Sequence, residues 1–447
     1  MDSTLMSAYG RKTLQKAYHH TSTQLDNGLV VSTVEMPHLH SAGVFLFARV
    51  GSRHESATTN GLSHFLEHMF FRGCDGFPDS SALNTAMEDL GGVLEGYTTR
   101  DHSGYHSIVH PDHLEEATSI FGQMFSRPHF KNIEIERGII LEETLDAVDE
   151  RGRQIELDVI AHQANFPDHG LGQSIDGPRK NLRGFQLADL EKHRRRFYGA
   201  QNMVLLFTGA IDAKRCRRAA RHAFGDLFPG RAAADGRPPK HLPGGPAVKF
   251  IRTDDAQTRI RLSFRTVPDT HTDHLPLLML RRILDGGLSS RIQTELVEKR
   301  GIAYDIGADI TTYSDCGLFE FELAVAHRKL AYAIEELGNV IVPLVKDTVG
   351  REELGRVRRR MKIGLEFSLD SLHELAQWFG LGRLFARHTT PEQRLRALNR
   401  VSATEIQKVA ATYLRPERMT LTGVGGASPA VLREAKAALA KLSEQLK

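Results

Sequence analysis

The chain has 447 residues, of which 40% are hydrophobic and 25% are charged, and its formal net charge is +3. These proportions are typical of globular proteins, and a chain this long is better suited to two to four domains than to one core. The small net charge and the lack of a Lys/Arg run argue against a nucleic-acid-binding protein. The three cysteines form no C-x-x-C pair, which is typical of a reducing compartment.

The amino-terminal residues, MDSTLMSAYGRKTLQ, contain no apolar stretch of the kind that secretory signals carry. No uninterrupted apolar run of about 20 residues is present, so we expect no membrane span. The expected location is therefore the cytoplasm.

The first half of the chain alternates strand-like and helix-like segments. The runs LVVSTVEM and AGVFLFARV predict strands, the second with alternating apolar residues. A helix is predicted from about Asn60 to Phe71, with Asn60 or Thr59 as its N-cap. Four further elements are expected: an amphipathic helix in SSALNTAMEDLGG, a strand pair in LEGYTTRDHSGYHSIVH, a helix after Pro111 and a buried strand in QNMVLLFTGAI.

The stretch from Pro229 to Pro246 is rich in Pro, Gly and Ala, which is typical of a linker. After it the order of the first half repeats: a strand in TRIRLSFRT, a helix in HLPLLMLRRILDGG, a helix end and two strands in LVEKRGIAYDIGADITTYSDCGLFEFELAVA, and a closing strand in RMTLTGVGG. A repeat whose period is a whole domain of about 200 residues indicates duplication.

We therefore predict an α+β fold of two homologous domains, each an antiparallel-rich sheet with helices packed on one side. The predicted divisions are residues 1–230 for the first domain, 231–247 for the linker and 248–447 for the second domain.

Residues His64–His68 read HFLEH, and on a helix His64, Glu67 and His68 share one arc. The apolar residues fall on the opposite arc: Leu62, Phe65, Leu66, Met69 and Phe70. Histidines at i and i+4 can reach one ion, and two imidazoles with a carboxylate are common ligands of a catalytic zinc. Glu67 would then lie where a base can take a proton from a water held by the metal. The alternative is a surface helix with scattered polar residues, since a chain with 22 histidines contains chance pairs.

A third ligand is expected in the segment IEIERGIILEETLDAVDE. Glu143 shares a helical arc with Ile139, Ile140 and Glu136, whereas Glu142 is rotated by about 100°. An acid buried among isoleucines is costly unless it is paired or bound to a metal, so Glu143 is the better candidate. The alternative is an acidic helix whose carboxylates all face solvent.

Several segments resemble, in order, the M16 metallopeptidases, the relatives of insulysin, pitrilysin and mitochondrial processing peptidase. They are GLSHFLEHMFFRG, ERGIILEE, YGAQNMVLLFTG, LDGGLSSRIQTELVEKRGIAY and SDCGLF. The resemblance covers nearly the whole chain and is to the half-size branch, in which a subunit of two similar domains, with a LuxS/MPP-like fold, pairs with a second subunit.

This resemblance implies a role for each residue of the two motifs. His64, His68 and Glu143 match the zinc ligands, with one zinc ion per chain. Glu67 matches the general base, and Glu136 matches an acidic residue that supports the site without usually binding the metal. The implied function is that of a zinc-dependent endopeptidase.

In the family an edge strand beside the zinc helix binds the extended peptide substrate by adding it to the sheet. That strand corresponds here to residues 94–109, and its substrate-binding candidates are Glu95, Gly96, Tyr97 and Thr98. Many relatives carry Asn at the position of Glu95, so we expect a carboxylate beside the zinc that favours Lys or Arg near the cleavage site. The alternative is a core strand paired on both sides.

Relatives that complete a site from the second domain commonly read R-E-K-R-G-x-A-Y. This chain has the tyrosine, Tyr304, but Val297 replaces the leading arginine, and Arg300 matches the other arginine of the pattern. We therefore expect the catalytic subunit of a heterodimer that pairs with a second half-size chain, with a homodimer as the alternative. No nucleic acid or membrane is expected as a partner.

Two other functions compete with a general peptidase. One is a structural or interaction subunit with a vestigial zinc site. The other is a peptidase of narrow specificity that matures the precursor of a peptide-derived cofactor or natural product.

Overall fold

The computed structural model describes residues 18–234, 236–240, 245–303 and 305–447. The β-strands within these residues are β1 (His19–Gln24), β2 (Val30–Glu35), β3 (Ala42–Ala48), β4 (Glu95–Thr98), β5 (Ser103–Val109), β6 (Met203–Gly209), β7 (Ala247–Arg252), β8 (Thr258–Thr266), β9 (Ile306–Thr312), β10 (Gly317–Val325) and β11 (Met419–Gly425).

The α-helices within the same residues are α1 (Leu62–Phe70), α2 (Ser80–Glu88), α3 (Leu114–Ser126), α4 (Ile133–Glu143), α5 (Leu157–Asn165), α6 (Arg179–Gly184), α7 (Leu187–Phe197), α8 (Ala213–Phe224), α9 (His274–Leu284), α10 (Leu330–Lys346), α11 (Arg351–Ser368), α12 (Leu372–Ala376), α13 (Gly382–Leu384), α14 (Pro391–Arg400), α15 (Ala403–Tyr413) and α16 (Pro429–Gln445). Two π-helical turns are Gln293–Glu298 and Gln377–Leu381. None of the helices in the described part of the chain combines the length and the apolar character needed to cross a membrane.

The chain folds into two compact units, and neither is continuous in sequence. The first unit takes in the described residues of Met1–Thr144, Gln173–Gly236 and Gly364–Glu392. The second takes in those of Leu145–Gly172, Arg237–Ile363 and Gln393–Lys447. Each unit therefore includes one segment from the other half of the chain. The linker predicted at residues 231–247 stays a prediction.

The first unit contains a six-stranded sheet in the order β1-β2-β6-β3-β5-β4, in which β2 and β6 are parallel and the other pairs are antiparallel. Both faces of this sheet are covered, as the residues of β3 show, since alternate residues of a strand point to opposite faces. Val44 and Leu46 belong to the core that the helices cover. Phe47 points to the other face, where its ring lies against Gly380.

Strand β4 lies at the end of this sheet and, among the described strands, pairs with β5. The predicted edge position is therefore confirmed for β4, whereas β5 lies between β3 and β4 and is paired on both sides. An edge strand keeps backbone N–H and C=O groups that can pair with an added strand.

The second unit contains a five-stranded sheet in the order β7-β11-β8-β10-β9. Strand β11 is parallel to β7 and antiparallel to β8, which repeats the arrangement of β6 between β2 and β3. The predicted α+β fold with two similar, antiparallel-rich sheets is confirmed.

The helix that carries the HFLEH motif begins differently from the prediction. Its N-cap is Gly61, with φ of 104°, in place of Asn60 or Thr59. The Glu55 carboxylate accepts hydrogen bonds from the backbone N–H groups of Gly61 (2.8 Å) and Ser63 (2.6 Å). Asn60 donates to the same carboxylate at 2.9 Å. A buried acid from the preceding loop thus replaces the local cap that the sequence predicted.

We predict that Glu55→Gln lowers the free energy of unfolding by about 1–3 kcal/mol, because the amide N–H₂ group would face donors instead of accepting from them. Urea denaturation followed by circular dichroism measures the change. The matched control is Glu88→Gln on an exposed position of α2. Equal stability of both variants would contradict this account of the cap.

Candidate active site

Helix α1 presents two chemically different faces. Leu62, Phe65, Leu66, Met69 and Phe70 are all buried in the core of the first unit. With that face fixed, the helical period places His64, Glu67 and His68 together on the opposite face, as predicted.

The two histidines and Glu143 bring three ligand atoms together. The Nε2 atoms of His64 and His68 lie 3.2 Å apart. The Glu143 Oε2 atom lies 3.6 Å from Nε2 of His68 and 3.9 Å from Nε2 of His64. Ligands at about 2.0–2.1 Å from a tetrahedral zinc are separated by about 3.4 Å, so this triangle fits the ion after small side-chain movements. Two imidazoles and one carboxylate also suit zinc chemically.

A carboxylate behind His68 orients its imidazole. His68 Nδ1 is 2.9 Å from Glu136 Oε1, and Arg72 pairs with the other oxygen of Glu136. His64 Nδ1 lies 3.5 Å from Asp176 Oδ1, and this buried nitrogen has no hydrogen-bond partner among the described residues. If Nδ1 of His68 donates to Glu136, its Nε2 carries the lone pair that a metal needs. Glu136 therefore contacts His68 on the side away from the triangle and is not one of its three atoms.

Burial and charge act differently on the two imidazoles. Burial lowers the pKa of His64 to about 3, helped by neighbouring His68, so its ring is neutral at physiological pH. Burial also lowers the pKa of His68, but the hydrogen bond to Glu136 and the nearby carboxylates outweigh it and raise the pKa overall. The neutral ring is the form that binds a metal, and the carboxylates stabilise the ring once it carries positive charge.

Glu67 is buried beside the ligands and is held from the edge strand. Burial raises the pKa of its carboxyl, and the hydrogen bond from Thr98 partly offsets that effect. The Thr98 hydroxyl donates to Glu67 Oε2 at 2.5 Å. A pocket of about 360 Å³ opens next to Glu67, His68 and Gly96. A carboxylate with a raised pKa that faces a pocket has the properties of a general base.

Strand β4 approaches α1 closely at Gly96. A Cβ atom there would lie 2.9 Å from the Phe71 ring and 3.3 Å from Glu67 Cγ, so a side chain would displace the helix or the base. Gly96 and Thr98 therefore face α1. Tyr97 faces the other way, where its ring covers Gly104.

The side chain of Glu95 also points away from α1, because successive residues of a strand alternate between faces. Its carboxylate lies 3.0 Å from His106 Nε2. The expectation that Glu95 adds negative charge beside the zinc ligands is therefore wrong, and the resulting preference for Lys or Arg substrates has no basis in this geometry.

Glu143 is more exposed than the sequence predicted. Its side chain is 50% exposed at the last residue of α4, and Ile139 is exposed as well, whereas Ile140 is buried. The expected setting among buried isoleucines is wrong because α4 buries Arg137 and Ile140 and leaves Ile139 and Glu143, which are one turn apart, on its exposed side. The contacts to both histidines nevertheless come from Glu143.

Two candidates from the second half, Val297 and Arg300, lie in the second unit. Tyr304 falls outside the described residues. Val297 lies in the π-helical turn Gln293–Glu298 and packs partly against that unit's core. Arg300 forms ion pairs with Glu295 and Glu336, both at 2.9 Å, so its charge is already neutralised.

Three residues of the site escaped the sequence reasoning. Glu55 and Asp176 lie in loops without periodicity, so no pattern indicates what their carboxylates face. Arg72 follows the HFLEH helix by two residues and could have been proposed as a partner of Glu136, since both motifs were already expected to converge.

The fold and the site together define a duplicated α+β protein in which two histidines on a buried helix and a carboxylate at the end of α4 lie close enough together to hold a metal ion. The family described as Insulinase (Peptidase family M16) matches residues 30–179. The one described as Peptidase M16 inactive domain matches residues 184–361. Together these matches take in most of the chain, which belongs to the M16 family.

Relatives similar over most of the chain carry related names. An "Uncharacterized zinc protease" of Rickettsia bellii (strain RML369-C) is 28% identical over 87% of this chain and 93% of its own length. The mitochondrial-processing peptidase subunit beta of Blastocladiella emersonii is 28% identical over 90% of this chain and 88% of its own. A solved peptidase M16 inactive domain from Pseudomonas fluorescens has a TM-score of 0.85 at 18% identity, covering 92% of this chain and 99% of that one. This last similarity supports the fold alone.

We predict that Glu143→Gln sharply weakens zinc binding, because a neutral amide replaces the charged ligand. Glu142→Gln, one residue away on the same helix, serves as the control and should be nearly silent. Competition with a chromophoric chelator measures the affinity of each variant. The reverse pattern would show that Glu142 is the ligand.

Proposed function

We propose that the chain is a zinc-dependent endopeptidase subunit that hydrolyses peptide bonds in extended segments. The observation that carries this proposal is the triangle formed by His64, His68 and Glu143, with Glu67 buried beside it. Relatives named as zinc proteases support it.

His64, His68 and Glu143 would hold the ion. When bound, zinc supplies a Lewis acid that lowers the pKa of water to about 7 and polarises a peptide carbonyl. Glu67 takes the proton of the attacking water and later passes it to the leaving amine, so one carboxyl serves as base and then as acid. The hydrogen bond from Thr98 fixes the orientation of that carboxyl.

The substrate would be held along β4. An extended peptide can add to the free edge of this strand through backbone hydrogen bonds, which requires no particular side chain. Gly96 and Thr98 face α1 from this strand, so a peptide added beside them lies next to Glu67. This arrangement favours unfolded segments and peptides over folded domains.

The alternative of a vestigial site is less consistent with the geometry. The site combines a buried base, three candidate metal ligands and a carboxylate that orients His68. Burial raises the pKa of the Glu67 and Asp176 carboxyls, so their charged forms are costly unless a positive charge compensates them.

Glu67→Gln should retain zinc and lose turnover by roughly 10²- to 10⁴-fold, because an amide cannot accept the proton. Zinc content and the rate of cleavage of a mixture of fluorogenic peptides are measured on the same preparation. The control is Glu88→Gln, which leaves the site intact. Full activity of the zinc-loaded Glu67→Gln chain would show that another group is the base.

We also propose that a second half-size chain completes the active site. In the family the facing domain supplies an arginine and a tyrosine that hold the scissile carbonyl. This chain has Val297 at the arginine position, and Arg300 is bound to two glutamates. A partner that lacks the H-x-x-E-H motif but carries that arginine would supply the missing donor. The similarity to a relative named as a subunit supports pairing.

The isolated chain is accordingly expected to show little peptidase activity with zinc bound, and a motif-lacking homologue should restore it. If the chain forms homodimers, Val297→Arg should raise activity by up to about 10²-fold, the lower end of what one carbonyl-stabilising donor contributes. Val297→Leu is the control, since it adds bulk without a donor. Full turnover by the isolated chain, with no gain from Val297→Arg, would remove the reason for a partner.

A further inference from the structure

A second group of metal-binding side chains lies in the first unit, on the face of the sheet opposite α1. Glu95, His106 and His373 each offer one ligand atom, and these atoms all lie within 4.8 Å of one another. Glu95 Oε2 and His106 Nε2 are 3.0 Å apart. The set contains two imidazoles and a carboxylate, the same donors as the triangle on α1 and α4.

The fold specifies this group through two separate constraints. Glu95 on β4 and His106 on β5 are directly opposite each other in the antiparallel register, so their side chains lie on the same face. His373 comes from α12, more than 260 residues further along the chain, in the segment Gly364–Glu392 that belongs to this unit.

Phe45 on β3 holds both rings in place. It stacks on His106, with centroids 5.3 Å apart and planes at 2°, and meets His373 edge-on at 5.3 Å and 87°. The two imidazoles are consequently perpendicular, with centroids 4.6 Å apart. Rings fixed by packing lose little freedom when they bind an ion, which is the condition for a built site.

Access and donor chemistry identify the class of ion. The Glu95 side chain is 60% exposed and that of His106 is 14% exposed, so an ion can enter from solvent and keep a water ligand. Imidazole donors suit zinc, copper and nickel, whereas magnesium and calcium prefer oxygen ligands throughout.

We propose that Glu95, His106 and His373 form a second metal site, for a divalent transition ion such as zinc, that fastens the α12 segment to the edge strand β4. Thr98, which bonds to Glu67, lies three residues from Glu95 on the same strand. An ion at this site therefore stabilises the strand that borders the pocket. The proposal does not depend on peptidase activity.

The test removes the first triangle and asks whether a metal still binds. The His64→Ala/His68→Ala chain, stripped of metal, is titrated with Zn²⁺ against a chromophoric chelator. It should bind one equivalent. Adding Glu95→Gln or His373→Ala should weaken that binding by more than about 10-fold, the lower end of the loss for an outer-shell partner.

The matched control is Glu116→Gln in the same background. Glu116 also contacts a histidine, with its Oε2 atom 2.7 Å from Nδ1 of exposed His113, but it belongs to no such triad in the described residues. This variant should still bind one equivalent of zinc with unchanged affinity. Glu95 is exposed, so Glu95→Gln can be expected to fold, and circular dichroism checks that it does.

Limited proteolysis tests whether the metal holds the α12 segment against β4. In the His64→Ala/His68→Ala background, Zn²⁺ should slow cleavage within residues 364–392, and His373→Ala should abolish this protection. No zinc bound by that background would overturn the proposal. The proposal would also be overturned if one equivalent of zinc bound with an affinity that neither Glu95→Gln nor His373→Ala changed. Zinc binding that did not slow proteolysis within residues 364–392 would overturn it too. A wild-type chain that bound no zinc at His64, His68 and Glu143 would contradict the proposed peptidase function and not the second metal site.

Discussion

The site depends on the approach of two imidazole nitrogens, 3.2 Å apart, across one turn of a buried helix. One neutral ring can donate its Nε2–H to the other, and with both lone pairs turned inward the same spacing suits a shared cation. The apolar face of α1 fixes the rotation of the helix, and the Glu55 carboxylate fixes its first turn. The hydrogen bond to Glu136 then orients the His68 ring. The spacing of the two nitrogens thus depends on the core packing of α1, on its cap and on the hydrogen bond between His68 and Glu136.

The same helix also determines what can lie next to it. The edge strand β4 comes close enough for Thr98 to bond Glu67 only because residue 96 is glycine. The candidate general base and the edge that could bind an extended peptide therefore lie side by side, where α1 packs against β4. The opposite face of that strand carries Glu95, and its partners His106 and His373 bring another segment of the chain to the same place.

The periodicity of the sequence predicted most of this arrangement, and the predictions that were wrong concern positions that periodicity alone does not determine. The helical arc of the HFLEH motif, the choice of Glu143 over Glu142 and the duplicated sheets follow from patterns within single elements. The N-cap and the position of Asp176 depend on loops, where side chains follow no periodic pattern, and the exposure of Glu143 depends on which side of α4 packs on the core. The direction of the Glu95 side chain could have been predicted from strand alternation, since Thr98 was expected to face the substrate site.

Anomalous diffraction at the zinc absorption edge, from crystals of the metal-loaded chain, tests the central claim most directly. The account predicts a peak within about 2.0–2.2 Å of Nε2 of His64, Nε2 of His68 and a carboxylate oxygen of Glu143. Glu67 should lie outside ligand distance but within hydrogen-bond reach of a water beside the peak. Zinc-loaded crystals without a peak between the two histidines, or with Glu67 as a ligand, would contradict it.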